Sequence, residues 1–242
     1  MFKIFYWLSV TAGLMLGLVP IFYYFKACVE RDRMGFSSPY SRAENAKDFS
    51  NPGEHSVYET LKQTVDTLVG PGRYFLSKGS LILKHAPGRP VPTCEIDHLL
   101  ICRFGIFVVE TKDWAGAIRP STRNGEVVVR FANGHEELRR SPISQSASKL
   151  AFIKHCQPAD WRVESLAVFS NPKASLTSGL PKNMVLLSEL ESYLRAKSEE
   201  PMMGEMRYVD KEIGMGSILP HRDNRPGAAQ IHRVAVQHAR ER

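Results

Sequence analysis

The first pattern in the chain is an unbroken apolar run. From Ile4 to Phe25, 22 residues carry no charge. As a helix rising about 1.5 Å per residue they would span roughly 33 Å, enough for a bilayer core. Aromatic residues gather at both ends (Phe5, Tyr6, Trp7 and Phe22 to Phe25), where rings favour headgroup level. The run is longer than the apolar region of a cleaved signal peptide and no small-x-small site follows it, so it reads as an uncleaved anchor. Lys3 alone precedes it, whereas Lys26, Arg31, Arg33 and Arg42 follow. That asymmetry predicts a single-pass membrane protein with its remainder on the cytoplasmic side, at the inner membrane if the chain is bacterial. Gly13 and Gly17 form a GxxxG, a spacing that lets two such helices approach closely and pair as a homodimer.

Residues 31–52 are polar with no apolar period and read as a juxtamembrane linker. Val57, Leu61, Val65 and Leu68 then recur at helical spacing, one face of an amphipathic helix between Pro52-Gly53 and Gly70-Pro71-Gly72. A strand-rich stretch follows. Ser80–Leu83, Glu95–Cys102, Ile106–Lys112 and Glu126–Phe131 read as strands, with a hairpin turn at Arg103-Phe104-Gly105. Pro142–Cys156 turns helical, Val163–Phe169 and Met184–Leu187 return to strand, and Glu189–Ala196 is a short helix. The tail carries a Gly/Met-rich patch, a breaker at Pro220–Pro226, and a final helix with Ile231, Val234, Ala235 and His238 on one side. This order predicts an α/β or α+β fold, one mixed central sheet flanked by helices.

Composition narrows the class. The 242 residues, 43% hydrophobic and 24% charged, are those of a globular protein with extensions and exclude wholesale disorder and a polytopic bundle. Cys28, Cys94, Cys102 and Cys156 contain no CxxC pair, which argues against a cysteine zinc site and for reduced thiols. The net charge of +7 suits a polyanionic partner, nucleic acid or an anionic membrane surface.

The hairpin carries the candidate chemistry. A two-residue turn at Phe104-Gly105 pairs Arg103 with Ile106, which sets Asp97 opposite Lys112 and Leu99 opposite Glu110. Asp97, Glu110 and Lys112 then project from one face at one end of otherwise apolar strands. Two carboxylates can hold a hard cation such as Mg²⁺ together with waters and substrate phosphate, and a lysine can orient water or offset developing charge. The alternative is a cross-strand ion pair with one extra acid, worth about 0.2–1 kcal/mol if exposed. His98, beside Asp97, points to the opposite face by strand alternation and reads as a packed histidine. Arg139, Arg140 and the tail arginines are candidate phosphate contacts.

Asp97 followed by Glu110-x-Lys112 resembles the D…(D/E)xK signature of restriction-endonuclease-like nucleases. More narrowly, Gly53-Glu54 opening a helix, then EIDHLLI, GIFVVETKDWAGAI, Ser-Pro-Ile-Ser-Gln (141–145) and Val168-Phe169-Ser170-Asn171 are similar to the nuclease-related domain (NERD) family over about Asn51 to Leu194. Ser141 stands where that family usually has asparagine, a change at a cap or turn that leaves Gln145 in place. The resemblance implies Asp97 and Glu110 as metal ligands with the Thr111 carbonyl as a third. It implies Lys112 as the catalytic lysine, Glu54 assisting metal or water binding, and Gln145 lining the site. It implies Mg²⁺ as cofactor, with Mn²⁺ as substitute, and DNA as partner and substrate. The expected organisation is an anchor (1–30), a linker (31–50), a nuclease-like domain (51–198) and a basic extension (199–242). The rival is a catalytically inactive module of the same fold that binds DNA or a protein partner at the membrane.

Overall fold

The computed structural model describes residues 51–201 and 208–241. The expected anchor, linker, GxxxG pair and Gly/Met-rich patch lie outside the described residues. Among the described residues no helix is long and apolar enough to cross a membrane.

Helix α1 (Pro52–Val69) starts where side chains replace the missing helical partners of its first turn. Asn51 Oδ1 accepts from the Glu54 N–H at 3.0 Å, and Asn51 Nδ2 donates to Glu54 Oε1 at 2.8 Å. Pro52 presets the backbone of that turn. Val57, Leu61 and Val65 are fully buried, as their four-residue spacing predicts, and Val69 completes the face while Leu68 flanks it.

These residues pack on a five-stranded mixed sheet of order β1-β4-β5-β9-β11. Its strands are β1 (Phe75–Leu76), β4 (His98–Cys102), β5 (Gly105–Lys112), β9 (Val163–Phe169) and β11 (Met184–Leu186). β4 and β5 pair antiparallel, whereas β9 runs parallel to β5 and β11 parallel to β9. Helix α2 (Pro142–His155) makes the crossover between β5 and β9, which a parallel pair requires. α1 and helix α3 (Leu190–Glu199) cover one face through Leu100, Cys102, Phe107, Val109, Leu190 and Leu194. α2 lies on the other, with Ile153 among Leu99, Ile101, Ile106 and Val108.

The hairpin register differs from expectation by two residues. Cys102 pairs with Gly105 and Ile101 with Ile106, so the turn residues are Arg103 and Phe104. The physical reason is burial of Phe104, 2% exposed, against Phe107 with ring centroids 5.8 Å apart. Gly105 serves close approach instead: a Cβ there would lie 3.0 Å from the Phe107 ring. A shift of two residues keeps side-chain parity, so the expected shared face is retained while the opposite partners change.

Glu95–Cys102 is two strands rather than one. β3 (Thr93–Ile96) pairs with β2 (Leu81–Lys84) in a separate two-stranded sheet, and Asp97 is the break before β4. A third sheet, β10-β6-β7-β8, joins β6 (Gly116–Pro120), β7 (Glu126–Arg130), β8 (Glu136–Arg140) and β10 (Ala174–Leu176). Ile118, Val127, Val129, Phe169 and Met184 form its core. The fold is thus mixed α/β with several sheets rather than one.

The tail packs onto the α2 side of the central sheet. Helix α4 (Lys211–Ile218) buries Ile218 with Val209 and Leu219 in the core shared with β2, β3 and β4, Gly214 lying against Ile101. Helix α5 (Ala228–Arg240) sits on β3, His232 Nδ1 meeting Thr93 Oγ1 at 2.9 Å. Its inner side is Ala228, His232, Ala235 and Val236, while Ile231 and Val234 of the expected apolar side are about half exposed.

Phe104→Ala should destabilise the fold by about 3–5 kcal/mol, read as a lowered urea midpoint. A loss under 1 kcal/mol would remove the account of the turn as a core anchor.

Candidate active site

Asp97 stands at the one place where β4 has not yet begun and β5 still continues. From the pairing of His98 with Val109, the next residue outward on each strand sets Asp97 across from Glu110. Thr111 N–H has no ladder partner there and donates to Asp97 Oδ2 at 2.7 Å. The carbonyl of a strand residue faces the same side as its N–H, so Thr111 C=O is turned toward the same edge. Asp97 Oδ1 accepts no hydrogen bond from the described residues. Glu110 and Lys112 share the α2 face by alternation, and the Lys112 ammonium lies 2.6 Å from Glu110 Oε1. Asp97, Glu110, Thr111 and Lys112 are therefore together.

A residue not singled out from sequence completes the cluster. Lys149, from α2, places its ammonium 2.6 Å from Glu110 Oε2. Its signal was available: it lies four residues after Gln145, one helical turn along the same face. Gln145 itself donates to the Arg140 carbonyl at 3.0 Å, so in this conformer it helps close the turn into α2. Ser141, at the cap of α2, makes no side-chain capping bond.

Glu54 is buried in the first turn of α1 and exchanges hydrogen bonds with Asn51. That turn reaches the site's end of the sheet, because a Cβ on Gly53 would lie 2.3 Å from Ser170 Oγ, and Ser170 N–H donates to the Lys112 carbonyl at 3.0 Å. Two of the motifs thus meet through glycine's lack of a side chain. α1 nevertheless covers the face opposite Glu110. His98 packs beneath it, its ring 6.2 Å from Tyr58; burial lowers His98 to about 4, with backbone groups of Glu54 and Ser77 pulling upward. Arg139 stacks over Trp114 at 4.9 Å and pairs with Glu137 at 2.6 Å, and Arg140 donates to the Ser144 carbonyl.

The electrostatics follow from crowding two acids with two amines. Burial first, and then the charge of Glu110, push Asp97 up to about 7, against Lys149, the Thr111 N–H and Lys112. Burial would also raise Glu110, but Lys149 and Lys112 outweigh it and hold that carboxyl below its ordinary range. Lys149 is lifted by Glu110 and Asp97 despite burial that would lower it.

Asp97 Oδ1, a Glu110 oxygen and the Thr111 carbonyl are the oxygen donors that would hold a hard divalent cation, with waters and phosphate completing its shell. No three His, Cys, Asp or Glu side chains among the described residues group closely enough to hold an ion by themselves. Both Glu110 oxygens carry ammonium groups, so a cation there would compete with them for the carboxylate's lone pairs.

A carboxyl raised on folding keeps its proton in the native state while the unfolded chain, near 3.8, has lost it. Stability from Asp97 therefore falls as pH climbs from about 4 to about 7 and stays low above. Asp97→Asn should raise stability by roughly 2–4 kcal/mol at pH 8 and hardly at all near pH 4, measured by urea unfolding. Equal stability of both proteins at pH 8 would contradict a destabilised carboxylate.

The model of the nuclease-related domain family matches residues 50–170, half of the chain, from the start of α1 to the end of β9. It takes in Glu54, Asp97, Glu110, Thr111, Lys112 and Gln145. No curated relative matches the chain, and no solved structure does. The chain belongs to the nuclease-related domain (NERD) family.

Proposed function

We propose that this protein is a Mg²⁺-dependent nuclease hydrolysing phosphodiester bonds in DNA, with Mn²⁺ able to substitute. Its core would be of the restriction-endonuclease-like kind. Ile4–Phe25 would tether it to a membrane as a single-pass helix with the nuclease domain cytoplasmic, and the GxxxG would allow pairing as a homodimer. Membership of a nuclease-related family supports the reaction class. The single observation that carries the reading is Asp97 set across from Glu110, with the Lys112 ammonium 2.6 Å from Glu110 at the open end of β5.

Phosphodiester hydrolysis needs a nucleophile aligned with the phosphorus and compensation for charge gathering on the phosphate oxygens. A bound Mg²⁺ would supply Lewis acidity and a lowered water pKa. Asp97, Glu110 and the Thr111 carbonyl would hold it. Lys112 would orient the attacking water and offset charge on the phosphate. Glu54 would assist in metal or water binding from the first turn of α1, and Gln145 would line the site from α2. Tethering would confine the enzyme to DNA arriving at the membrane.

One observation favours a second reading. Two ammonium groups already neutralise Glu110, the balance expected of a metal-free module that binds DNA or a protein partner without cutting.

The full-length protein incubated with plasmid, linear and single-stranded DNA separates the two. Cleavage in Mg²⁺ or Mn²⁺, none in EDTA, and a loss of about 10²–10⁴-fold for Lys112→Ala is the expected result. Wild-type cleavage rates in Lys112→Ala or in EDTA would overturn the nuclease assignment.

A further inference from the structure

Lys149 belongs to none of the motifs that carry the family resemblance, yet it makes one of the two shortest side-chain contacts of the site. Its ammonium is 2.6 Å from Glu110 Oε2, and only 13% of its side chain is exposed. It arrives from a different element than Glu110, at the end of a long flexible stem, whereas Lys112 is fixed two residues along the same strand. Of the two amines, it acts more strongly on both Asp97 and Glu110. Its positive charge acts on both of the carboxylates that would hold a divalent cation. Three residues earlier on the same helix, the buried Ser146 hydroxyl has no hydrogen-bond partner.

We propose that Lys149 is a tethered stand-in for the metal that becomes a phosphate-binding residue: it holds Glu110 until a divalent cation enters, then leaves Glu110 Oε2 and contacts the DNA phosphate held by that cation. The inference rests on the nuclease reading above. The exchange keeps the site near electrical balance in both states, since the departing ammonium meets the phosphate that arrives with the added positive charge. It also couples the two ligands: DNA gains a lysine contact only after the cation has released it.

The test uses the full-length protein with Lys149→Met, which keeps stem length and removes charge, and Lys149→Arg, which keeps charge. Mn²⁺ alone is titrated by calorimetry. Duplex DNA affinity is measured by fluorescence anisotropy across a salt series, with and without Ca²⁺. Lys149→Met should bind Mn²⁺ about tenfold more tightly, because the competing ammonium is gone. Its DNA affinity should fall about tenfold with Ca²⁺, with a salt slope lower by about one, and should match wild type without the ion. Lys149→Arg should keep the wild-type slope and bind Mn²⁺ no more tightly than wild type. Unchanged or weaker Mn²⁺ binding by Lys149→Met, or the same DNA deficit with and without Ca²⁺, would overturn the exchange while leaving the nuclease reading intact. So would tighter Mn²⁺ binding by Lys149→Arg. A wild-type protein that binds no Mn²⁺ would overturn both.

Discussion

The hydrogen bond from the Thr111 N–H to the Asp97 carboxylate at 2.7 Å is the contact on which the site depends. At Asp97 the chain leaves the β2-β3 pair and enters the central sheet, so β5 loses its strand neighbour for a step. An unpaired buried N–H costs about as much as a lost hydrogen bond, and a side-chain oxygen meets that need here. The same bond fixes the carboxylate beside Glu110 rather than leaving it free to turn to solvent. A local repair of the ladder and the creation of an acidic pair are therefore one event.

Holding two carboxylates together at the edge of an apolar sheet opposes stability, and the surrounding lysines offset it only in part. Glu110 receives both ammonium groups, while Asp97 keeps one oxygen open and is left with a raised pKa near 7. On the nuclease reading, Asp97 Oδ1 would accept the ion first, and the amines on Glu110 would give way to it. The rest of the fold gives that arrangement rigidity. Leu99, Ile101, Ile106 and Val108 beneath α2, and Leu100, Phe107 and Val109 beneath α1, lock the two strands on both faces.

The parts of this arrangement legible in the sequence were those governed by period. Alternation put Asp97, Glu110 and Lys112 on one face for any turn of even length, because an even slip in register preserves parity; it could not say that Phe104 would anchor the turn. Four-residue spacing located α1 and its buried valines. The break at Asp97 was hidden because EIDHLLIC reads as one apolar run, and a switch between sheets leaves no mark in hydrophobicity. The strands β6, β8 and β10 were hidden because they are short or charged: EELRR alternates half-exposed and exposed residues, with little to distinguish it from a loop. On α5, Ala228, His232, Ala235 and Val236 rather than Ile231 and Val234 form the inner side, with His232 meeting Thr93 of β3. Lys149 was marked only by its four-residue spacing from Gln145. A lysine on a helix is ordinarily solvated, and only the tertiary position of Glu110 gives it a role.

Asp97 and Glu110 are proposed as a divalent cation site from which the Lys149 ammonium withdraws. Anomalous diffraction from crystals of the protein soaked in Mn²⁺ tests it most directly. One ion is expected at about 2.0–2.2 Å from Asp97 Oδ1 and a Glu110 oxygen, with the Lys149 ammonium moved off Glu110. A map with no ion between the two carboxylates, or with Lys149 still paired to Glu110 Oε2 beside a bound ion, would contradict it.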